Sequence, residues 1–82
     1  MTATTVILYT RRGCHLCDDA KSLLVQSGLS PQEVDVDGDH ELRAQFGHWV
    51  PVVVIDGRIR FRGRVEPLLL RRLLRGEDVG ED

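Results

Sequence analysis

Long apolar runs are missing from this 82-residue chain. None approaches the roughly 20 residues that a membrane-spanning helix needs, so a membrane protein is not expected. The N-terminus also lacks a basic segment followed by a hydrophobic core, the pattern of a secretory signal. Cysteine is scarce, at two residues, whereas small secreted domains usually carry several disulfides. A reducing cytoplasmic setting is the expectation that follows. Positive charge is not in excess either: the formal net charge of −2 argues against a nucleic-acid binder. No repeat, linker or low-complexity segment interrupts the chain. The length suits one domain, 1–82, with a core at about 4–76 and an acidic tail, 77–82, expected to fray.

What the sequence does have is Cys14-His15-Leu16-Cys17, its two cysteines separated by two residues. The run Thr5-Val6-Ile7-Leu8-Tyr9 before it is apolar and β-prone, as a strand buried on both faces should be. Thr10-Arg11-Arg12-Gly13 reads as a turn. From Leu16 the apolar positions Leu16, Ala20, Leu23 and Leu24 follow helical spacing, so the cysteines stand where loop becomes helix. A thiol there faces unpaired backbone N–H groups and the positive end of the helix dipole, which favour the thiolate. Thiolate is the reactive form in disulfide exchange, and a cysteine three residues away can close a ring with it. A structural or incidental pair is the bland alternative. Tetrahedral zinc needs four ligands, and no second CxxC or His-x-x-x-His is present, so no metal site is expected within one chain. An iron–sulfur or other metal centre bridged by cysteines of two chains stays open.

The helix beginning near residue 15 should run to about 27, closed by Gly28 with Leu29 folding back on its last turn. Gln32-Glu33-Val34-Asp35-Val36-Asp37 alternates acidic and apolar residues, which predicts a half-exposed edge strand with Val34 and Val36 inward. Asp37-Gly38-Asp39 then offers turn and cap chemistry for a short helix through Leu42 and Phe46, stopped by Gly47. Val52-Val53-Val54-Ile55 is a second continuous apolar strand, and Asp56-Gly57 matches a type I′ hairpin turn. The returning strand, Arg58-Ile59-Arg60-Phe61-Arg62, is expected to put its arginines on one face and Ile59 and Phe61 on the other. A last helix should run from about Val65 to Arg75, with Pro67 in its first turn and Gly76 as its stop. The order is β-α-β-α-β-β-α, an α/β fold. A right-handed crossover makes the first two strands parallel, the hairpin adds an antiparallel pair, and the apolar strands belong in the centre.

In this order of elements, in the placement of Cys14-x-x-Cys17, and in Val50-Pro51 before a central strand followed by the Asp56-Gly57 hairpin and closing helix, the chain resembles the glutaredoxin-like branch of the thioredoxin superfamily. The resemblance implies a thioredoxin-like fold, with a four-stranded mixed sheet in the order second, first, third, fourth and helices on both faces. It also implies a thiol–disulfide oxidoreductase in which Cys14 attacks and Cys17 resolves. By the same resemblance Pro51 is a cis-proline beside the cysteines, and Val50 pairs its backbone with an extended substrate. Protein or small-molecule disulfides would be the partners of a monomer that binds no cofactor. Glutathione or a thioredoxin-reductase-type enzyme would be the reductant. The chain departs from the family in having His15-Leu16 where Pro-Tyr is usual, and Trp49 in place of a threonine. Gly63-Arg64 stands where a paired glycine and a nearby aspartate normally hold glutathione. A redox-inert binding module with this fold remains a further alternative.

Several other residues carry an expectation. His15, when protonated, would favour the Cys14 thiolate and tune its pKa; the alternative is a solvent-facing filler. Arg11 or Arg12 could place a cation beside Cys14 or meet a substrate carboxylate, with Arg12 the candidate binding residue, or the pair could simply form a solubilising turn. Trp49 either walls a substrate groove or packs on the first helix. Gly63 and Arg64 are candidates for an anionic ligand. Asp18 and Asp19 are expected to stabilise the helix start, and Arg71, Arg72 and Arg75 its counterpart at the last helix C-terminus. His48 is expected to be an inert surface residue, and the arginines at 58, 60 and 62 to protect an edge strand.

Overall fold

Each apolar run of the sequence forms a strand, and each glycine-bounded helical repeat forms a helix, in a computed structural model that describes residues 4–76. The acidic tail, 77–82, lies outside the described residues. In chain order the elements are β1 (Val6–Thr10), α1 (His15–Gln26), β2 (Gln32–Asp35), α2 (His40–Phe46), β3 (Val52–Ile55), β4 (Arg58–Arg62) and α3 (Pro67–Leu74), with a short 3-10 turn at Val36–Gly38. The sheet order is β2-β1-β3-β4. β1 pairs parallel with β2 and antiparallel with β3, and β3 pairs antiparallel with β4. The all-apolar strands are therefore central and the charged ones form the edges, as their composition demands.

Alternation along the central strands divides the interior into two layers. Val6, Leu8, Val53 and Ile55 face α1 and α3, where they pack with Ala20, Leu24, Phe61, Val65 and Leu70. On the opposite face Val52 packs with Val36 and Phe46, joined by Tyr9, Leu42, Val50 and Val54. Tyr9 and Phe46 stack with ring centroids 4.7 Å apart. Helices thus cover both faces. Among the described residues no helix is long and apolar enough to cross a membrane.

Local chemistry closes the helices much as expected, with instructive exceptions. At the end of α1, Gly28 takes φ +89° and the Leu29 N–H donates to the Leu24 carbonyl at 3.0 Å. That bond folds Leu29 onto the larger core. The hairpin turn has φ +50° at Asp56 and +83° at Gly57, as a type I′ turn requires. α3 starts at Pro67, two residues later than Val65, because proline has the fixed φ and missing N–H that suit a first turn. Gly47 ends α2 with φ −54°, a right-handed value, so it is not the left-handed stop expected of a glycine there. Its smallness is used differently: a Cβ at this position would lie 2.5 Å from the Arg43 carbonyl oxygen.

Two strand expectations are corrected. β2 ends at Asp35, because the Asp35 carboxylate accepts the Asp37 N–H at 2.9 Å and curls the chain into the 3-10 turn. Val36 is still fully buried, but from that turn and not from a strand. In β4 the register passes from Val53↔Phe61 to Val54↔Ile59, leaving Arg60 unpaired in a bulge. Paired residues share a face, so Phe61 joins the larger core beside Val53 while Ile59 stands on the other face, 40% exposed. Arg58 and Arg62 are split between the two faces in the same way.

Candidate active site

The end of the sheet where β1 leaves and β3 enters gathers the residues singled out by sequence. Tyr9 sits opposite Val52 and Thr10 opposite Asp35. One step further along this register brings Pro51 beside Thr10, at the root of the turn leading to Cys14. β4 finishes at the same end, since Arg62 pairs with Val52.

Cys14 is the N-cap of α1, with extended backbone at φ −93° and ψ 104°. Its Sγ accepts the Cys17 N–H at 3.2 Å, and its carbonyl accepts the N–H groups of Cys17 and Asp18 at 3.1 and 3.2 Å. A sulfur in that position takes the place of the oxygen of a usual capping side chain. Cys14 and Cys17 are joined as a disulfide, their Cα atoms 5.2 Å apart. The two differ in access: Cys17 is 3% exposed, whereas Cys14 is only partly buried. His15 and Leu16 between them are exposed, Leu16 by 48%. Among the described residues no group of three or more His, Cys, Asp or Glu is arranged to hold a metal ion.

The 47–51 segment is ordered by backbone bonds on each side of Val50. Trp49 N–H donates to the Phe46 carbonyl at 2.8 Å. Gly63 N–H donates to the carbonyls of both Trp49 and Pro51, each at 2.8 Å. Val50, between them, has a backbone N–H and C=O with no hydrogen-bond partner among the described residues. The Val50–Pro51 peptide bond is cis. Gly63 adopts φ +78°, a conformation glycine takes without the Cβ penalty of other residues. Its position in the structure is thus one of backbone support for the Trp49–Pro51 segment.

The remaining candidates are dispersed around this end. Trp49 is 56% exposed, which leaves its ring largely in solvent. Arg12 and His48 are exposed. Arg64 has a side chain 75% exposed, with its Nε 4.0 Å from the Glu66 carboxylate. Leu16, Asp19, Ala20 and Leu23 of α1 and Arg64, Val65 and Pro67 line a cavity of about 200 Å³. Asp18 lies in the first turn of α1. Arg11 is the residue sequence reasoning placed least well. Its Nε donates to Asp37 Oδ2 at 3.0 Å and its Nη1 to the Gly47 carbonyl at 3.2 Å, so it joins two other loops. No local pattern signalled this contact: it follows from the parallel register of β1 and β2, which sets the residues just past Thr10 beside those just past Asp35.

Comparison with known proteins agrees with this arrangement. A protein of Mycobacterium tuberculosis, itself uncharacterized, is 37% identical over 67 residues, covering 71% of this chain and 69% of its own length. The X-ray structure of the XcR50 protein from X. campestris superposes with a TM-score of 0.77 at 32% identity, covering 89% of this chain and 99% of that one. The grx-1 glutaredoxin of Archaeoglobus fulgidus shares the fold with a TM-score of 0.67 at 20% identity, covering 89% of this chain and 88% of that one. The glutaredoxin-like domain model (DUF836) matches residues 5–75, which takes in every element from the start of β1 to the end of α3. The chain therefore belongs to the glutaredoxin-like family of the thioredoxin superfamily.

Proposed function

We propose that this protein is a thiol–disulfide oxidoreductase that cycles between a Cys14/Cys17 dithiol and the disulfide. The observation that carries the reading is the asymmetry of the pair: a partly buried Cys14 whose sulfur caps α1, with a buried Cys17 one turn behind it. In the reduced protein the Cys17 N–H and the helix dipole both favour a Cys14 thiolate. That thiolate attacks one sulfur of a substrate disulfide. The substrate S–S bond breaks, a Cys14 mixed disulfide forms, and the first substrate thiolate leaves. Cys17 gives up its proton and attacks the Cys14 sulfur, releasing the second substrate thiolate. Two electrons pass to the substrate, whose sulfurs take up two protons, and the protein is left as the disulfide.

Val50 fits the role of pairing with the substrate backbone, since its own N–H and C=O are unpartnered among the described residues. Trp49 and Leu16 expose apolar surface for a substrate, and Arg12, Arg64 and Gly63 would supply positive charge and a backbone bend. The adjacent His15 would, as a cation, add positive charge beside the Cys14 thiolate. Protein or small-molecule disulfides in the cytoplasm are the proposed substrates of a monomeric protein. The exchange itself runs on sulfur and requires no bound metal or organic group. Glutathione or a thioredoxin-reductase-type flavoprotein would return the disulfide to the dithiol.

The test is reduction of a disulfide substrate with each of those two reductants, by the wild type, Cys14→Ser and Cys17→Ser. Cys14→Ser should lose activity, Cys17→Ser should accumulate the mixed disulfide, and an alkylating agent should label Cys14 first in the reduced wild type. Equal activity in all three proteins, or first labelling at Cys17, would refute the assignment.

A further inference from the structure

We propose that Arg11 is a positioning residue that fixes the 47–51 segment relative to the turn carrying Cys14, and so sets the affinity for disulfides embedded in a peptide backbone. The proposal rests on the oxidoreductase reading above, but its structural half can be measured without it.

Four observations converge on this residue. Asp35 accepts the Asp37 N–H at 2.9 Å, which fixes the backbone from which the Asp37 carboxylate projects. Asp37 in turn binds Arg11 Nε at 3.0 Å. With that edge of the guanidinium engaged, Nη1 reaches the Gly47 carbonyl at 3.2 Å. Gly47 itself has little room to move: its N–H donates to the Arg43 carbonyl at 2.9 Å, and the chain passes that oxygen too closely for any Cβ. Among the described residues, this is the one hydrogen bond joining the 47–51 segment to the 11–14 turn.

The charge of Arg11 is not free to act on the thiol, because Asp37 already offsets it. The pair is also 40% and 35% exposed, and such a pair contributes little to stability on its own. What the guanidinium supplies is direction: a planar fork can hold a carboxylate and a carbonyl at once, whereas a lysine ammonium carries its three donors on one atom and lacks that fixed fork. The consequence falls on Val50, whose unpartnered backbone lies between Gly47 and the Gly63 anchor. A substrate with a peptide backbone uses that strand-like edge; a small aromatic disulfide does not.

The experiment compares Arg11→Ala, Arg11→Lys and wild type, with insulin disulfides under turnover, dithiothreitol recycling the dithiol, and, as fully reduced proteins in a single turnover, with 4,4′-dithiodipyridine. Loss of a charge-assisted hydrogen bond should raise KM for insulin about tenfold in Arg11→Ala, with kcat held. The rate with dithiodipyridine should stay within about twofold, and Arg11→Lys should not restore the insulin KM. In parallel, hydrogen exchange at the Trp49 amide, which donates to Phe46, should accelerate in Arg11→Ala. An unchanged insulin KM, full rescue by lysine, or equal slowing with both disulfides would overturn the proposal. If the wild type reduces neither compound, the oxidoreductase reading fails, and the Trp49 amide alone decides: unchanged exchange in Arg11→Ala refutes the tether.

Discussion

The two faces of the sheet are built to different standards. Under α1 and α3, nine buried residues form one continuous layer drawn from every element except β2 and α2. Under α2, among the described residues, only Val36, Phe46 and Val52 are buried in the corresponding layer, supplemented by a stacked Tyr9 and by partly exposed aliphatic side chains. The thick face carries the helix that presents both cysteines; the thin face carries Val50. Dense packing suits a reactive pair that must be held in one geometry, because it lets few side chains shift. The thin face compensates with directed polar bonds: the Asp39 cap, the Asp35 and Asp37 carboxylates, and Arg11. Burial stabilises the first face, and backbone satisfaction shapes the second.

The contrast can be attacked from its strong side first. Leu24 is fully buried in the larger layer, so Leu24→Ala should cost about 3 kcal/mol, read as a fall in the urea unfolding midpoint at unchanged slope. A loss below about 1 kcal/mol would mean that the thick face is not the main source of stability. On the thin face, Asp39 accepts the N–H groups of Glu41 and Leu42 at 2.9 and 3.1 Å. Asp39→Ala should cost about 1 kcal/mol, and Asp39→Asn much less, since an amide oxygen can take over the cap. Equal losses for the two variants would show that the cap is not what holds α2.

The smallest expected effect lies on the surface of the thick side. Lys21 pairs with Glu33 at 2.9 Å, linking α1 to the β2 edge, with both side chains about half exposed. Hydrogen bonding to the Glu33 carboxylate, and then its charge, raise the Lys21 pKa above the ordinary value. The pair's contribution is therefore complete below about pH 10, the lysine value in the unfolded chain, and disappears as pH climbs through the raised folded value. Lys21→Met should be hard to distinguish from wild type at neutral pH, because exposed pairs contribute little. Whatever difference exists should vanish in strongly alkaline solution. A difference that grew with pH would reverse the sign of this linkage.

Most of the architecture is legible in the amino-acid sequence. Continuous apolar runs marked β1 and β3 as central, and glycines at 28, 57 and 76 marked two helix ends and a hairpin. Cys14 as the first residue ahead of a helix followed from the spacing of Leu16, Ala20, Leu23 and Leu24. Where the reading failed, a distant partner overrode a local pattern. The alternation of Arg58 to Arg62 predicts a regular strand, but pairing with Val53 and Val54 skips Arg60 and turns Ile59 to the opposite face. Val36 continues an alternating pattern, yet the Asp35 carboxylate bends the chain one residue earlier. Trp49 could not be placed from sequence, because whether a large ring is covered depends on what the neighbouring loops leave open.

The amino-acid order alone determined which segments extend, which coil and where each stops, because those choices rest on side chains only a few residues apart. It also determined that two thiols would meet at a helix start, since residues three positions apart on one turn cannot lie far from each other. Tertiary structure alone decided that Arg11 would hold Asp37 and the Gly47 carbonyl together, and that Gly63 would support the chain on both sides of Val50. Those contacts span 26 and 36 residues from Arg11. They exist only once the sheet register has brought three loops to one edge.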